Sequence, residues 1–185
     1  MKTKIKEIVS IQFGYYSKPD KEGGIPYLQA RNFTEDGVLI NNFDAYISIQ
    51  TVSRAMLLRK GQILFAGKGN RFFASAYQED WGEVIASSLF YVLEVQDETV
   101  LPEYLAAVLN LPKNIAYFQQ AGTGSNILSL RKKELEDFEI EIPTLELQRK
   151  IIKIRRLHQK ELELTDHIRE QKKILYQASI SKILN

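Results

Sequence analysis

The sequence contains no cysteine, which excludes disulfides and thiolate zinc sites outright. It has only two histidines, His158 and His167, nine residues apart and on different faces of a helical segment, so they form no metal site without a cluster of carboxylates. No metal and no cofactor is therefore expected. A cysteine-free chain fits a reducing compartment, and a cytoplasmic location is expected. Long apolar runs are also missing: no segment approaches the roughly 20 apolar residues that span a bilayer. The basic start "MKTKIKEIVSIQFGYY" is broken at Lys6 and Glu7, and its apolar run lasts only from Ile8 to Ile11, too short for a signal peptide.

Several catalytic patterns are missing too. A phosphate-binding loop needs four residues between its first glycine and the glycine-lysine pair, then Ser or Thr for magnesium. Here Gly61 and Gly67 are separated by five residues, and Lys68 is followed by Gly69. Pro19 and Asp20 suggest a nuclease start, but the only Glu-x-Lys, Glu170 to Lys172, lies far away near the end of the chain. There is no Gly-x-Ser-x-Gly elbow, no acidic-Pro-Pro-aromatic signature of an amino-methyltransferase, and no Cys or His nucleophile arrangement. By elimination the chain is a binding or assembly module rather than an enzyme.

What is present is an ordinary globular composition: 185 residues, 44% hydrophobic and 26% charged, enough for one good core and an appendage. The net charge of +2 averages over a split. From Leu145 onward ten Lys or Arg stand against five Asp or Glu, a surplus of +5, while residues 1–144 carry 15 against 18, or −3. Any affinity of the first part for phosphate must come from local clusters.

The pattern predicts an α+β chain. "IPYLQARNF", "VLI" and "AYISI" between Ile25 and Ile49 read as short strands, "GQILFAG" as another, and "VIASSLFYVLEV" as one extended buried run. "LPEYLAAVLNL" reads as a helix with Pro102 near its start, and "KNIAYFQQAG" as a second helix stopped by Gly122. The stretch "AGTGSN", residues 121–126, is a turn or an anion cradle before a short helix with Ser129 as its N-cap. "FEIEIP" alternates as a strand. Pro143 ends it, Thr144 is the N-cap of the tail, and beyond Pro143 there is neither proline nor glycine. That tail is one long helix, about 60 Å at 1.5 Å per residue, longer than a domain of this size. With Leu147 at heptad position a, Ile154, Ile168 and Leu175 also fall at a, and Leu157 and Leu164 at d. Ile151 flanks this seam, and Lys150, Glu161, Gln171 and Lys182 interrupt it. A helix that packs on a partner helix fits best. The expected division is a globular domain over residues 1–143 and a long helix over 144–185.

In this order, "GGIPYLQARNFTEDGVL", "LLRKGQILFAGKGN", "VIASSLFYVLEV", "LPEYLAAVLNL" and "AGTGSNILSLRKKELEDFEIEIPTLELQRKI" resemble the DNA specificity (S) subunits of type I restriction–modification systems over nearly the whole chain. The most specific part is the closing run, with Gly124, Ser125, Leu135, Pro143, Leu145 and Gln148 at the family's positions. Where the family often has a second proline, this chain has Thr144, which serves as an N-cap.

The resemblance implies a target recognition domain followed by a spacer helix, in a half-length form of a family that commonly carries two of each. It implies double-stranded DNA as ligand and methyltransferase subunits, with possible restriction subunits, as partners. It also implies a homodimer through the helix, with Leu147, Ile151, Ile154, Leu157, Leu164, Ile168 and Leu175 at the interface. No catalysis is expected of the chain itself. The candidate DNA contacts are loop residues able to donate to phosphate or base edges: Arg31 and Asn32, then Lys68, Asn70 and Arg71 in "GKGNR", then Ser125 and Asn126, with Lys18 and Lys21 beside Tyr15 and Tyr16. Arg131, Lys132 and Lys133 flank the loop on the short helix. Each has a structural alternative: an ion pair of Arg31 with Glu35 or Asp36, a turn at Asn32, a solvated hairpin tip at Lys68–Arg71, and core tyrosines. Two other functions stay open at this level: a scaffold or inhibitor that binds methyltransferase subunits without reading DNA, and a small enzyme with an unrecognised site.

Overall fold

The computed structural model describes residues 2–21, 23–40, 42–124 and 127–184. In chain order the elements are β1 (Lys2–Lys4), α1 (Ile5–Ile8), β2 (Val9–Phe13), β3 (Ile25–Leu28), β4 (Tyr46–Ile47), β5 (Gln62–Ala66), β6 (Lys68–Gly69), β7 (Ala74–Ala76), β8 (Ile85–Ala86), β9 (Phe90–Val95), α2 (Pro102–Leu109), α3 (Pro112–Ala121), β10 (Leu128–Ser129), α4 (Lys132–Glu136), β11 (Glu139–Glu141) and α5 (Leu145–Leu184). The fold is α+β.

An antiparallel sheet in the order β2-β9-β5-β7 divides the interior. Along β5 the side chains alternate: Ile63 and Phe65 enter a core shared with α1 to α4, while Leu64 and Ala66 enter a second core with Phe33, Phe73 and Phe90. Burial on both faces is why "ILFA" of β5 reads as an unbroken apolar run. The first core is closed by Phe118 of α3, whose ring meets Phe65 edge-on at 5.1 Å between centroids. A smaller sheet, β4-β3-β8, pairs β3 with β8 in parallel. Two ribbons, β1-β11 and β6-β10, join distant parts of the chain.

Pro102 and Pro112 each open their helix at a position where the missing N–H costs nothing, and Gly122 closes α3. The side chain of Asn110, just past α2, both donates to and accepts from the backbone of Ala74 at 2.7 Å, which fixes α2 to β7.

Three expectations need correction. "VIASSLFYVLEV" is two strands, because the chain turns after Ser87, where the Phe90 amide donates to the Ser87 carbonyl at 3.0 Å, and β8 and β9 enter different sheets. "IPYLQARNF" holds β3 and then a single 3₁₀ turn at Ala30–Asn32. Ser129 is not an N-cap: it lies in β10 opposite Lys68, and α4 starts after Arg131 with no side-chain cap. Strand pairing claimed that serine ahead of its local capping preference. The amino-terminal segment forms β1, α1 and β2, whose burial of Ile5, Ile8, Val9 and Ile11 ties it into the core.

Three buried tyrosines cross-brace these layers. The hydroxyls of Tyr27, Tyr91 and Tyr104 donate to the carbonyls of Tyr15, Leu130 and Glu141 at 2.6, 2.7 and 2.7 Å. Burial pushes all three phenols above the ordinary tyrosine range. For Tyr104 the nearby Glu141 carboxylate adds to the effect of burial. A raised folded-state value means that the folded chain holds these protons more tightly than the unfolded one. Stability is thus full below about pH 10, the unfolded phenol value, and falls as the pH rises further. Alkaline titration followed by circular dichroism is expected to show the wild-type chain losing stability above about pH 10, and a Tyr27→Phe, Tyr91→Phe, Tyr104→Phe variant losing less over the same range.

The long helix begins as expected. The Thr144 hydroxyl accepts from the Leu147 amide at 3.4 Å, and the Thr144 carbonyl accepts from the Gln148 amide at 3.0 Å. Its first turns pack on α2 through Gln148 and Ile152, both buried. No described helix is long and apolar enough to cross a membrane.

Candidate nucleic-acid interface

Antiparallel pairing puts the end of β2, the end of β5 and the start of β9 at one edge of the main sheet, since Phe13 lies opposite Tyr91 and Ala66 opposite Phe90. The loops beyond these strand ends converge there. The Gly14 amide donates to the Phe90 carbonyl at 2.9 Å, the Tyr15 amide to Ala86 at 2.8 Å, and the Gly67 amide to Leu89 at 3.0 Å. The Leu130 amide returns to the Gly67 carbonyl at 2.9 Å. The ribbon β6-β10 therefore lays "GKGNR" against the segment after "AGTGSN", two loops almost sixty residues apart in sequence.

Gly67 is the hinge of this junction. A Cβ there would lie 2.3 Å from the Tyr91 ring, whose hydroxyl holds the Leu130 carbonyl. Gly67→Ala is expected to displace both loops and cost roughly 1–3 kcal/mol by overpacking, measured by denaturant unfolding. In the other loop Gly124 has φ +121°, and a Cβ would meet the Ile127 carbonyl at 2.2 Å, so this glycine is required by the turn.

The candidate side chains divide by environment. Lys18, Lys21, Lys68 and Asn70 are exposed. Arg31 is also exposed, but its guanidinium pairs with Asp44 at 2.9 Å, a different partner from the Glu35 or Asp36 considered from sequence. Asn32 is buried: its side-chain oxygen accepts from the Gln29 amide at 2.8 Å and its nitrogen donates to the Asn42 carbonyl at 2.9 Å. Arg71 is half-buried over the Phe73 ring, and its Nη2 donates to the carbonyls of Ala30, at 2.9 Å, and Phe33. Asn32 and Arg71 thus brace the turn at Ala30–Phe33. Ser125 and Asn126 lie outside the described residues. Arg131, just before α4, and Lys133 within it are exposed, and Lys132 pairs with Glu136 at 3.4 Å.

Two aromatic residues are exposed at the same edge: Phe13, which escaped the sequence pattern, and Tyr16, which stands beside the candidate lysines and is not a core tyrosine. Phe13 is 61% exposed and Tyr16 86% exposed, with the Phe13 ring 5.2 Å from Tyr91. Phe13 shares the parity of the buried Val9 and Ile11, so alternation alone places it inside. Its position at the last residue of β2 takes it past the core. Lys18 and Lys21 follow on a segment held by the pairing of Asp20 with Tyr46. The edge combines exposed cations, an amide and flat apolar rings, a set suited to phosphate oxygens and bases.

Along α5, Leu147, Ile154, Leu157, Leu164, Ile168 and Leu175 are all exposed, while Ile151 is half-buried. The body of the protein instead meets a different stripe: Gln148, Ile152 and Arg155. Burial lowers the Arg155 guanidinium from its ordinary value, partly offset by Asp36, whose carbonyl accepts from its Nη2 at 2.9 Å.

The chain thus joins an α+β body that carries exposed lysines on its loops to a long helix. The family model for the type I restriction modification DNA specificity domain matches residues 1–173, and the chain belongs to that family. Among solved structures, the S subunit of a type I restriction-modification system from M. genitalium is similar with a TM-score of 0.65 and 14% identity, over 88% of this chain and 40% of that one. The HsdS subunit from Thermoanaerobacter tengcongensis gives 0.58 and 16%, over 89% and 38%. A chain from a structure describing complex assembly and conformational transition of the type I R-M system gives 0.62 and 16%, over 89% and 39%. These likenesses establish the fold, and the chain spans about two fifths of the length of each. No curated protein matches.

Proposed function

We propose that this chain is the sequence-recognition subunit of a type I restriction–modification complex, reading one half-site of duplex DNA without performing chemistry itself. The observation that supports this function is the meeting of Gly14–Tyr15, Gly67–Gly69 and Leu128–Leu130 at one sheet edge, where Lys68, Asn70, Phe13 and Tyr16 are exposed, with Lys18 and Lys21 exposed on the segment that follows Tyr16. The lysines contact phosphates and set position, while Asn70 reaches base edges. Ser125 and Asn126, outside the described residues, are further candidates for base contact from the sequence. Arg31 can contribute at the rim by exchanging Asp44 for phosphate, and Asn32 and Arg71 act by holding the neighbouring turn in shape.

Residues 1–143 serve as the target recognition domain and residues 144–185 as the spacer helix, in the cytoplasm. The helix holds methyltransferase subunits, and through them any restriction subunits, and it pairs with the helix of a second copy. Two copies then present two recognition edges in symmetry, which suits a bipartite site with inverted halves.

Titration of duplex DNA at several salt concentrations, with the partner methyltransferase present, tests this function. A reader gives a sequence preference and a log K that falls by about 0.9 per neutralised phosphate for each decade of salt. Equal affinity for all duplexes would instead support a scaffold that does not read DNA.

A further inference from the structure

Arg155 and Arg156 are neighbours on α5 with different partners. Arg156 is exposed and pairs with the Glu103 carboxylate at 3.4 Å, an ordinary surface contact. Arg155 is half-buried, and its Nη2 donates to a main-chain carbonyl, that of Asp36, at 2.9 Å. Among the described residues this is the only hydrogen bond between α5 and the segment that joins β3 to β4.

Asp36 stands in a turn closed on itself. The Thr34 amide donates to the Val38 carbonyl at 2.8 Å, the Gly37 amide to the Thr34 carbonyl at 3.1 Å, and the Val38 amide to the Thr34 hydroxyl at 3.0 Å. Phe33 and Leu39 pair across its base. A turn bonded across itself in this way shifts as one piece, because bending it would break the bonds that close it. Asn110 makes a second and longer bond to the Asp36 carbonyl, at 3.2 Å, which ties the same piece to the end of α2.

The other end of that piece is held by Arg71. Its Nη2 donates to the carbonyls of Ala30 and Phe33, and the Phe33 ring is locked among Phe73, Trp81 and Phe90, with centroids 5.3, 5.7 and 5.7 Å away. Arg71 closes "GKGNR", so this anchor sets where the loop carrying Lys68 and Asn70 returns to the sheet. From Arg155 to Arg71 the connection runs through Phe33, Thr34, Glu35 and Asp36, with a side-chain hydrogen bond at each end. The helix and the candidate reading loop therefore grip the same short segment.

We propose that Arg155 is a positioning residue for DNA reading: by holding the Asp36 carbonyl it sets the turn that Arg71 grips, and so fixes the placement of Lys68 and Asn70. The inference rests on the reading function above and adds a residue outside the recognition loops on which discrimination between duplexes depends. A change in the tilt of α5 is thereby passed to the reading loop. Continuity of contacts becomes coupling when a change at one end is read at the other.

The full-length chain carrying R155M, which keeps the aliphatic stem and removes the donors, supplies that change. In the free chain, hydrogen exchange read by mass spectrometry is expected to run ~3–10-fold faster in R155M over Thr34–Val38 and also over Gly67–Phe73. Unchanged exchange over Gly67–Phe73 would overturn the connection, whether or not Thr34–Val38 responds. With the methyltransferase present, R155M is expected to bind the preferred duplex ~3–10-fold more weakly and to lose a similar factor of discrimination against duplexes with one base pair changed. Its dependence on salt is expected to match the wild type. A salt slope lower by about 0.9 would make Arg155 a phosphate contact instead of a positioning residue, and wild-type affinity and discrimination in R155M would equally overturn the role. Added to R71M, R155M is expected to cost less than ~2-fold more, since both act on one turn; full additivity would sink the shared route. A wild-type chain with no preference among duplexes would remove the reading function on which the inference rests, and the exchange over Gly67–Phe73 would still decide whether Arg155 holds that loop.

Discussion

Reversing Lys18, Lys21 and Lys68 together, as K18E/K21E/K68E, is expected to lower the DNA affinity of the assembled subunit by roughly 10²–10³-fold at about 0.1 M salt while leaving the fold intact. Each phosphate contact contributes about 0.9 of a decade per decade of salt, so three lost contacts remove nearly three decades between 0.1 and 1 M, and reversed charges add repulsion. The three side chains are exposed, so the change in folding stability is expected to stay within about 0.5 kcal/mol per residue. The salt slope falls with the affinity, which separates loss of phosphate contacts from loss of structure. Retained affinity and slope would show that DNA lies on another face. Arg71→Ala has a different signature: it releases the carbonyls of Ala30 and Phe33 and uncovers Phe73, so it shifts the thermal midpoint as well as binding.

The second large effect is expected at Gln148. Its side chain is fully buried and satisfied on both ends: its oxygen accepts from the Leu101 amide at 2.8 Å, and its nitrogen donates to the carbonyls of Thr99 at 2.7 Å and Pro143 at 2.9 Å. One residue thus ties the start of α5 to the segment before α2 and to the end of β11. Gln148→Leu keeps the volume but leaves three backbone groups without their partner, at a cost of roughly 2–4 kcal/mol. For a chain of this size that corresponds to a fall of about 4–16 °C in the thermal midpoint. The loosened helix no longer holds a fixed angle to the recognition edge, so affinity for a full bipartite site should fall more than affinity for an isolated half-site. A variant as stable as the wild type would remove Gln148 from this role.

Much of this arrangement is local in origin and therefore legible in the sequence. Pro102, Pro112, Gly122 and Thr144 mark helix ends through their own backbone chemistry, and the α5 seam follows from periodicity alone. What was not legible depends on contacts between distant residues. A capping preference at Ser129 is a local rule, and its pairing with Lys68 overrides it. Arg71 looks like a solvated hairpin tip because the carbonyls it serves lie about forty residues earlier. Likewise, the stripe of Gln148, Ile152 and Arg155 is polar enough to pass for solvent-facing, since its burial comes from α2 and Asp36 on the body. At the candidate interface the sequence marked the loops as candidates, and β6-β10 pairing joins two of them. Phe13 carried no local mark of exposure.

Selection of bound sequences from a random duplex pool, by the methyltransferase assembled with this chain, tests DNA reading most directly. The expected result is a bipartite motif with inverted halves, lost or rewritten when Lys68 and Asn70 are both replaced by alanine. Recovery of the pool without any enriched motif would contradict it.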